Sequence, residues 1–303
     1  MTSDPRRYLD PKVLDKIEGL DLKARLIVEG YISGLHKSPF RGFSVEFAEH
    51  REYVPGDDIR FLDWKVFGRS DRLYIKRYED ETNLEATLVV DVSASMTYQG
   101  TSTAHTKLDY ARWAGAALAY LVTQQQDAVG LALFDDEVRK TLPTGNNPLH
   151  LKNVIGALDQ AKPTGSTGLG KALKQVGESL KRRGLVLLFS DLIADPHDVA
   201  QGLKQIRNRG HEMILFHVLD RDETTFPFER LTRFVGLEGA EDVVADPEAI
   251  RTAYLEEVDG FQRQIRRACH ANRIDYVPLD TSESLGTTLS AYLSRRDARR
   301  RSR

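Results

Sequence analysis

The chain has 303 residues, enough to bury a large core without disulfide bonds. Hydrophobic residues make up 41% of it and charged residues 29%, a composition typical of neither a disordered chain nor an integral membrane protein. The chain has 43 basic and 45 acidic side chains, for a formal net charge of -2. It therefore has no general attraction to nucleic acid or anionic lipid.

The termini and the cysteine content suggest where the protein works. The single cysteine, Cys269, cannot form a disulfide within the chain and suits a reducing compartment. The first residues, MTSDPRRYLD, lack the apolar segment of a secretory signal, and no apolar stretch approaches the length of a membrane-spanning helix. The sequence therefore predicts a cytoplasmic protein without direct membrane insertion.

The N-terminal part differs in pattern from the rest. Residues 11–34 have helical spacing, and strand-like pieces surround a Pro55-Gly56 turn between residues 40 and 85. We predict three regions: N-terminal helices plus a small β-rich module at 1–85, an α/β domain at 86–295, and a basic tail at 296–303.

From residue 86 onward, short apolar runs alternate with amphipathic segments. The runs fit strands that are buried on both faces, and the segments between them fit helices. Strands are predicted at 86–90, 128–134, 138–142, 185–189, 213–218 and 275–279, and helices near 108–122, 148–158, 169–180, 196–207, 247–272 and 285–292. This alternation predicts an α/β fold with a doubly wound, mostly parallel sheet covered by helices on both faces.

Oxygen-bearing side chains follow two of these strands. Asp91, Ser93 and Ser95 stand at alternate positions where the chain leaves the first strand, at the edge where open α/β sheets bind ligands. Alone, this segment also fits an ordinary turn or helix cap. Asp191 follows the run at 185–189, however, and Thr167 lies in a Gly-Ser-Thr-Gly segment just before a predicted helix.

Together these five side chains form an oxygen-only set with at most two carboxylates. Such a set suits a hard cation that retains waters, Mg²⁺ or Mn²⁺, better than zinc or copper. Few ligand charges also leave the metal electrophilic, ready to take a carboxylate from another molecule. We therefore predict one divalent cation at Asp91, Ser93, Ser95, Thr167 and Asp191.

The same residues resemble a known site. Asp91-x-Ser93-x-Ser95, Thr167 within GSTGLGKAL and Asp191 within LLFSDL look like the metal-ion-dependent adhesion site of von Willebrand factor A domains. The resemblance implies that three loops supply these ligands, with Thr167 binding directly or through water and Asp191 mainly through water. One departure is Leu192, which stands where many members of that family carry Gly.

The region upstream of the α/β domain resembles a more specific family. YVPGDDIRFLDWKVFGRSDRLYIKRYEDE, preceded by HKSPFRGFSVEFAEHREY, resembles the bacterial family catalogued as domain of unknown function 58. In that family a P-G-D-D-x-R-x-x-D-W element precedes a von Willebrand A-like domain. Its members are commonly encoded beside MoxR-type AAA+ ATPases, so the resemblance implies work with a chaperone-like ATPase.

Enzymatic motifs are incomplete in this sequence. The segment from Gly165 to Lys171 nearly matches the phosphate-binding loop motif, but Ala172 stands where that motif has the Ser or Thr that holds Mg²⁺. A phosphoryl-accepting aspartate of the haloacid-dehalogenase type needs a second carboxylate two residues later, and Ser93 stands there. The sequence therefore predicts a non-enzymatic protein.

Two interpretations remain open for Asp57, Asp58, Arg60, Asp63 and Trp64. They form either a turn whose charges pair locally around a core tryptophan, or a partner-docking surface, because Trp and Arg are frequent interface anchors. Acidic residues interrupt the basic side chains nearby, so nucleic-acid binding is not expected.

Two functions are compatible with the predicted site. The first is an interaction module whose cation takes an Asp or Glu from a protein partner, with a MoxR-type ATPase as the candidate. The second is a metal-dependent hydrolase that uses the same site to activate water. Its general base would come from a nearby loop, at Asp135, Asp136 or Asp195.

Overall fold

The computed structural model describes residues 19–32, 47–54, 62–70, 72–78, 84–166, 168–289 and 291–292. They fall into two compact units, of which the smaller contains the described residues between 47 and 84. The larger unit contains helix α1 (Leu20–Ile32) and the described residues from 85 onward. Among the predicted site residues, Asp57, Asp58, Arg60 and Thr167 lie outside the described ranges, as does the basic tail.

The smaller unit combines two strands with a short helix. Strand β1 (Phe47–Glu52) pairs antiparallel with β2 (Tyr74–Tyr78), and helix α2 (Trp64–Ser70) lies between them in the chain. Asp63, just before this helix, caps its N-terminus: the carboxylate Oδ1 of Asp63 accepts the backbone N–H of Val66 at 3.2 Å. The β-rich pattern predicted for this region did not include the helix.

The larger unit alternates strands with helices, as the apolar pattern predicted. Its strands are β3 (Glu85–Asp91), β4 (Ala128–Phe134), β5 (Val138–Gly145), β6 (Leu185–Ser190), β7 (Glu212–Leu219), β8 (Thr232–Phe234), β9 (Val243–Ala245) and β10 (Asp275–Asp280). Its further helices are α3 (Lys107–Gln124), α4 (Pro148–Asp159), α5 (Leu169–Ser179), α6 (Pro196–Asn208), α7 (Arg221–Thr225) and α8 (Pro247–Ala271).

Six of these strands form one sheet in the order β10-β7-β6-β3-β4-β5. Neighbours pair in parallel except for β5, which runs antiparallel to β4 at one edge. Strand β3 is central, with β6 on one side and β4 on the other, so the loops that follow these three strands leave the same edge. This arrangement confirms the predicted α/β class.

Helices cover both faces of the sheet. On one face, side chains of α5, α6 and α8 pack with alternate residues of β3, β4, β6 and β7 in a single buried cluster that includes Cys269. On the other face, α3 lies over the central strands and contacts both α1 and α4. Strands buried on both faces explain the continuous apolar runs of the sequence. Of the described helices, none is long and apolar enough to cross a bilayer.

Candidate functional site

The first loop gathers three of the predicted ligands at the end of the central strand. Asp91 is the last residue of β3 and is fully buried. Its Oδ1 accepts the backbone N–H of Ser93 at 2.9 Å, and its Oδ2 accepts the hydroxyl of Ser190 at 2.6 Å. The buried hydroxyl oxygens of Ser93 and Ser95 lie 3.0 Å apart. These contacts hold one carboxylate and two hydroxyls together, and their role as metal ligands stays a prediction.

The third loop brings a second carboxylate to the same place. Asp191 follows β6, the neighbour of β3, and is almost fully buried. Burial and the negative charge of Asp191 raise the pKa of Asp91 to about 7, against the opposing effect of its hydrogen bonds with Ser190 and Ser93. The two carboxylates therefore repel each other, and an additional positive charge between them would relieve that repulsion.

The second loop is joined to the first by backbone hydrogen bonds. The N–H of Thr164 donates to the carbonyl of Val92 at 2.9 Å, and the N–H of Ala94 donates to the carbonyl of Gly165 at 3.0 Å. Gly165 has a φ of 65°, a left-handed conformation that glycine adopts without strain. Because Thr167 lies outside the described ranges, its contribution to the site stays a prediction.

A metal at this edge would depend on hydroxyl ligands. Within the part of the chain that the structure describes, His, Cys, Asp and Glu side chains do not gather in groups of three or more that could hold an ion. Asp91, Ser93 and Ser95 instead offer hard oxygen donors of the kind that Mg²⁺ and Mn²⁺ bind. In its chemistry this donor set fits such a cation.

The site contains a buried lysine that was not predicted from the sequence. Lys107 begins α3, is fully buried, and donates from Nζ to Asp191 Oδ2 at 2.7 Å and to Glu223 Oε1 at 2.8 Å. Burial alone would lower the pKa of Lys107, but the charges of Asp191 and Glu223 outweigh it and hold the pKa above its usual value. From sequence alone, a lysine that follows the helix-capping Thr106 is expected to be exposed to solvent. The sequence therefore contained no sign that Lys107 forms buried ion pairs at the site.

A glutamate from a distant hairpin also reaches the site. Glu238 lies in the turn between β8 and β9, and its Oε1 accepts the backbone N–H of Ser95 at 3.3 Å. The two residues are 143 positions apart in the chain. Neither spacing nor composition pointed to this contact.

A buried histidine supports the third loop. His217 on β7 lies with its Nε2 3.1 Å from the backbone carbonyl of Asp191 and its Nδ1 2.7 Å from the hydroxyl of Tyr276. Burial lowers the pKa of His217 to about 4, so the ring is neutral at pH 7. Since a carbonyl only accepts, Nε2 carries the proton and Nδ1 accepts the tyrosine hydroxyl. His217 thereby fixes the backbone of the loop.

The three carboxylates predicted as hydrolase bases are held in structural contacts. Asp135 is buried and pairs with Arg139 at 2.6 Å. Burial opposes ionisation of Asp135, but hydrogen bonds from Arg139 and Thr164 lower its pKa to about 2. Asp136 pairs with the same arginine, and the exposed Asp195 caps α6 by accepting the N–H of His197. Their geometry and charge suit loop structure better than proton abstraction.

Two of the five predicted docking residues are described. Asp63 is buried and caps α2, whereas the neighbouring Trp64 is 64% exposed and meets Phe67 edge-on with 6.2 Å between ring centroids. The interpretation of Trp64 as a core residue is therefore wrong. Its exposure leaves the docking interpretation as a prediction.

Leu192, the departure noted in the sequence, adopts an unusual backbone conformation. Its φ is 58°, and its side chain is fully buried in the core cluster under α5 and α6. A non-glycine residue with a left-handed backbone conformation carries about 1–2 kcal/mol of strain. The packing of the Leu192 side chain in the core offsets this strain. The structure thus explains how leucine stands at a position that favours glycine.

Substitutions at Leu192 should reverse the usual ranking of alanine and glycine. Both Leu192→Ala and Leu192→Gly lose core packing, but we expect the glycine variant to be more stable by about 1 kcal/mol, because only glycine is relaxed at positive φ. Urea denaturation measures the difference. The same pair at Leu188, buried within β6, is the control, and there alanine should be the more stable. An alanine preference at both positions would contradict the left-handed conformation.

Sequence comparison identifies relatives of this chain. The family described as "Protein of unknown function DUF58" matches residues 49–264. The uncharacterized protein Rv1480 of Mycobacterium tuberculosis is 31% identical over 222 residues, which cover 72% of this chain and 68% of that protein.

Two solved structures are similar to this chain at low sequence identity. BatB of Bacteroides thetaiotaomicron, at 17% identity, covers 71% of this chain and 99% of its own with a TM-score of 0.50, a likeness of fold alone. The SpRpn10 VWA domain, at 13% identity, covers 68% of this chain and 94% of its own with a TM-score of 0.41. Because the family match extends over residues 49–264 and the mycobacterial relative aligns with 72% of the chain, this chain belongs to the DUF58 family of proteins of unknown function.

Proposed function

We propose that this protein is a non-enzymatic interaction module in which a bound Mg²⁺ or Mn²⁺ receives an Asp or Glu side chain from a protein partner. The observation that carries the proposal is the group formed by the Asp91 carboxylate and the Ser93 and Ser95 hydroxyls, buried at the end of the central strand. These three residues would hold the cation, with Asp191 acting mainly through water and Thr167 as the second-loop ligand. When bound, the cation supplies a Lewis acid that coordinates an external carboxylate.

The charges around the group favour an electrophilic cation. Lys107 lies against Asp191 and offsets its negative charge, which leaves Asp91 as the main anionic ligand. A divalent ion with one full ligand charge retains net positive charge, so it attracts a carboxylate from another molecule. This balance supports a role in binding acidic groups.

The surroundings support a protein contact more than a reaction. Ile193, two residues after Asp191, and Leu237, next to Glu238, are 50% and 43% exposed, so apolar side chains lie on the surface beside the polar groups of the site. The alternative, a metal-dependent hydrolase, has less support because Asp135, Asp136 and Asp195 are engaged in ion pairs or a helix cap.

The candidate partner is a MoxR-type AAA+ ATPase, and the candidate compartment is the cytoplasm. Family resemblance is the support for the ATPase, and the single buried cysteine is compatible with a reducing compartment. A metal–carboxylate contact in a partly dehydrated interface can act as a binding hot spot. Such a contact would couple ATP-driven movement of the partner to this protein.

The test is association with the MoxR-type ATPase of the same host. We expect binding in Mg²⁺ to weaken at least about tenfold in EDTA and in Asp91→Ala, since both remove the coordinated carboxylate contact. Asp259→Ala, an exposed carboxylate on α8, is the matched control and should bind normally. Association that survives both EDTA and Asp91→Ala would refute the role of the metal, and no association in Mg²⁺ would refute this partner.

A further inference from the structure

The β8–β9 hairpin places a carboxylate on the loop that holds the proposed cation ligands. Oε1 of Glu238 accepts the backbone N–H of Ser95, the residue whose hydroxyl lies 3.0 Å from that of Ser93. The neighbouring N–H, that of Ala94, already donates to Gly165. In this loop, the N–H of Ser95 is therefore directed to Glu238 on the hairpin, whereas the N–H of Ala94 is directed to Gly165.

We propose that Glu238 occupies, within the same chain, the position that a partner's carboxylate takes at the cation site. This inference rests on the proposed function. A glutamate side chain has the same chemistry as the Asp or Glu expected from a partner, and it is held at the residue that supplies a proposed ligand. The hairpin and the partner then compete for the cation, and the isolated protein has a closed site.

The turn of the hairpin is shaped to present this side chain. A Cβ at Gly236 would lie 2.0 Å from the carbonyl oxygen of Ala240, and Gly239 has a φ of 79°. Glycine is required by the close approach at the first position and favoured by the backbone at the second. Asp242 accepts the N–H of Gly236 at 3.2 Å and pairs with Arg233 at 2.6 Å. These local contacts define the turn that carries Glu238.

The base of the hairpin is fixed to the domain by aromatic packing. Phe234, the last residue of β8, stacks on Phe226 with 5.6 Å between centroids, and Phe226 in turn packs on Tyr254 of α8 at 4.5 Å. The turn is thus anchored at its base, while Leu237 beside Glu238 remains 43% exposed. A partner that contacts Leu237 would meet the side chain that it has to displace.

Mn²⁺ binding to the full chain tests the inference directly. Electron paramagnetic resonance gives the affinity for Mn²⁺, and water-proton relaxation reports the number of waters on the bound ion. We expect Glu238→Gln to weaken Mn²⁺ binding roughly tenfold and to raise the relaxation enhancement by the increment of one water. Added acetate should then lower the enhancement in Glu238→Gln but not in the wild-type protein.

Two variants separate this inference from the proposed function. Glu241→Gln changes an exposed glutamate of the same turn and should leave affinity and hydration unchanged. Asp91→Ala should abolish Mn²⁺ binding, and if it does not, the proposed cation site itself is wrong. If Asp91→Ala abolishes binding while Glu238→Gln behaves like Glu241→Gln, the site stands and the role of Glu238 is refuted.

Discussion

Replacing Lys107 with methionine is expected to lower the free energy of unfolding by about 3–5 kcal/mol in EDTA. The lysine is fully buried between Asp191 and Glu223, and methionine fills a similar volume without the charge. Its removal leaves a buried Asp191 carboxylate close to that of Asp91, without the ammonium that compensates it. Urea denaturation at pH 7.5 measures the loss.

Mg²⁺ should stabilise the Lys107→Met variant more than it stabilises the wild-type protein, because Asp191 is then free to face the cation. Lys152→Met, an exposed lysine on α4, is the control and should change stability by no more than about 0.5 kcal/mol. Adding Asp191→Asn and Glu223→Gln to Lys107→Met should recover part of the loss, as the uncompensated charges disappear. A Lys107→Met variant as stable as the control would mean that this ion-paired group contributes nothing to folding.

The sheet could be predicted from sequence because its strands are buried on both faces. Runs such as 128–134 and 185–189 carry no polar residue inside the strand, and no soluble structure other than a covered strand or a buried helix accommodates them. The runs are short and are separated by predicted helices, and both features favour strands over buried helices. The helix α2 (Trp64–Ser70) was missed because its seven residues are too few for a helical period to stand out.

The site was predictable where it follows from topology. Asp91 ends the buried strand β3 and Asp191 follows the buried strand β6. Because β3 and β6 are neighbours in the sheet, the loops after them meet. Lys107 and Glu238 were not predictable, because their roles depend on contacts across 84 and 143 positions of the chain. A charged side chain in a helix or a turn is normally solvated, and nothing in the local sequence marks these two as different.

Asp91→Asn should stabilise the metal-free protein at alkaline pH although it removes a charged ligand. Burial and the nearby Asp191 hold the pKa of Asp91 at about 7 against a usual value of 3.8. The folded protein therefore keeps a proton that the unfolded chain releases, so wild-type stability falls as pH rises from about 4 to about 7. Asparagine does not ionise, and its amide can still accept from Ser93 and donate to Ser190.

In EDTA at pH 8 we expect Asp91→Asn to be more stable than the wild-type protein by about 2–4 kcal/mol, and at pH 4 to be nearly equal. Asp135→Asn is a matched control of opposite sign: the pKa of Asp135 is lowered to about 2, so its loss should destabilise the protein at pH 8. Mg²⁺ should raise the stability of the wild-type protein at pH 8 and leave that of Asp91→Asn unchanged. Urea denaturation at both pH values, with EDTA and with Mg²⁺, measures all three effects. A less stable Asp91→Asn variant at pH 8 in EDTA would show that the buried carboxylate is not under strain, and that a cation has no repulsion to relieve at this site.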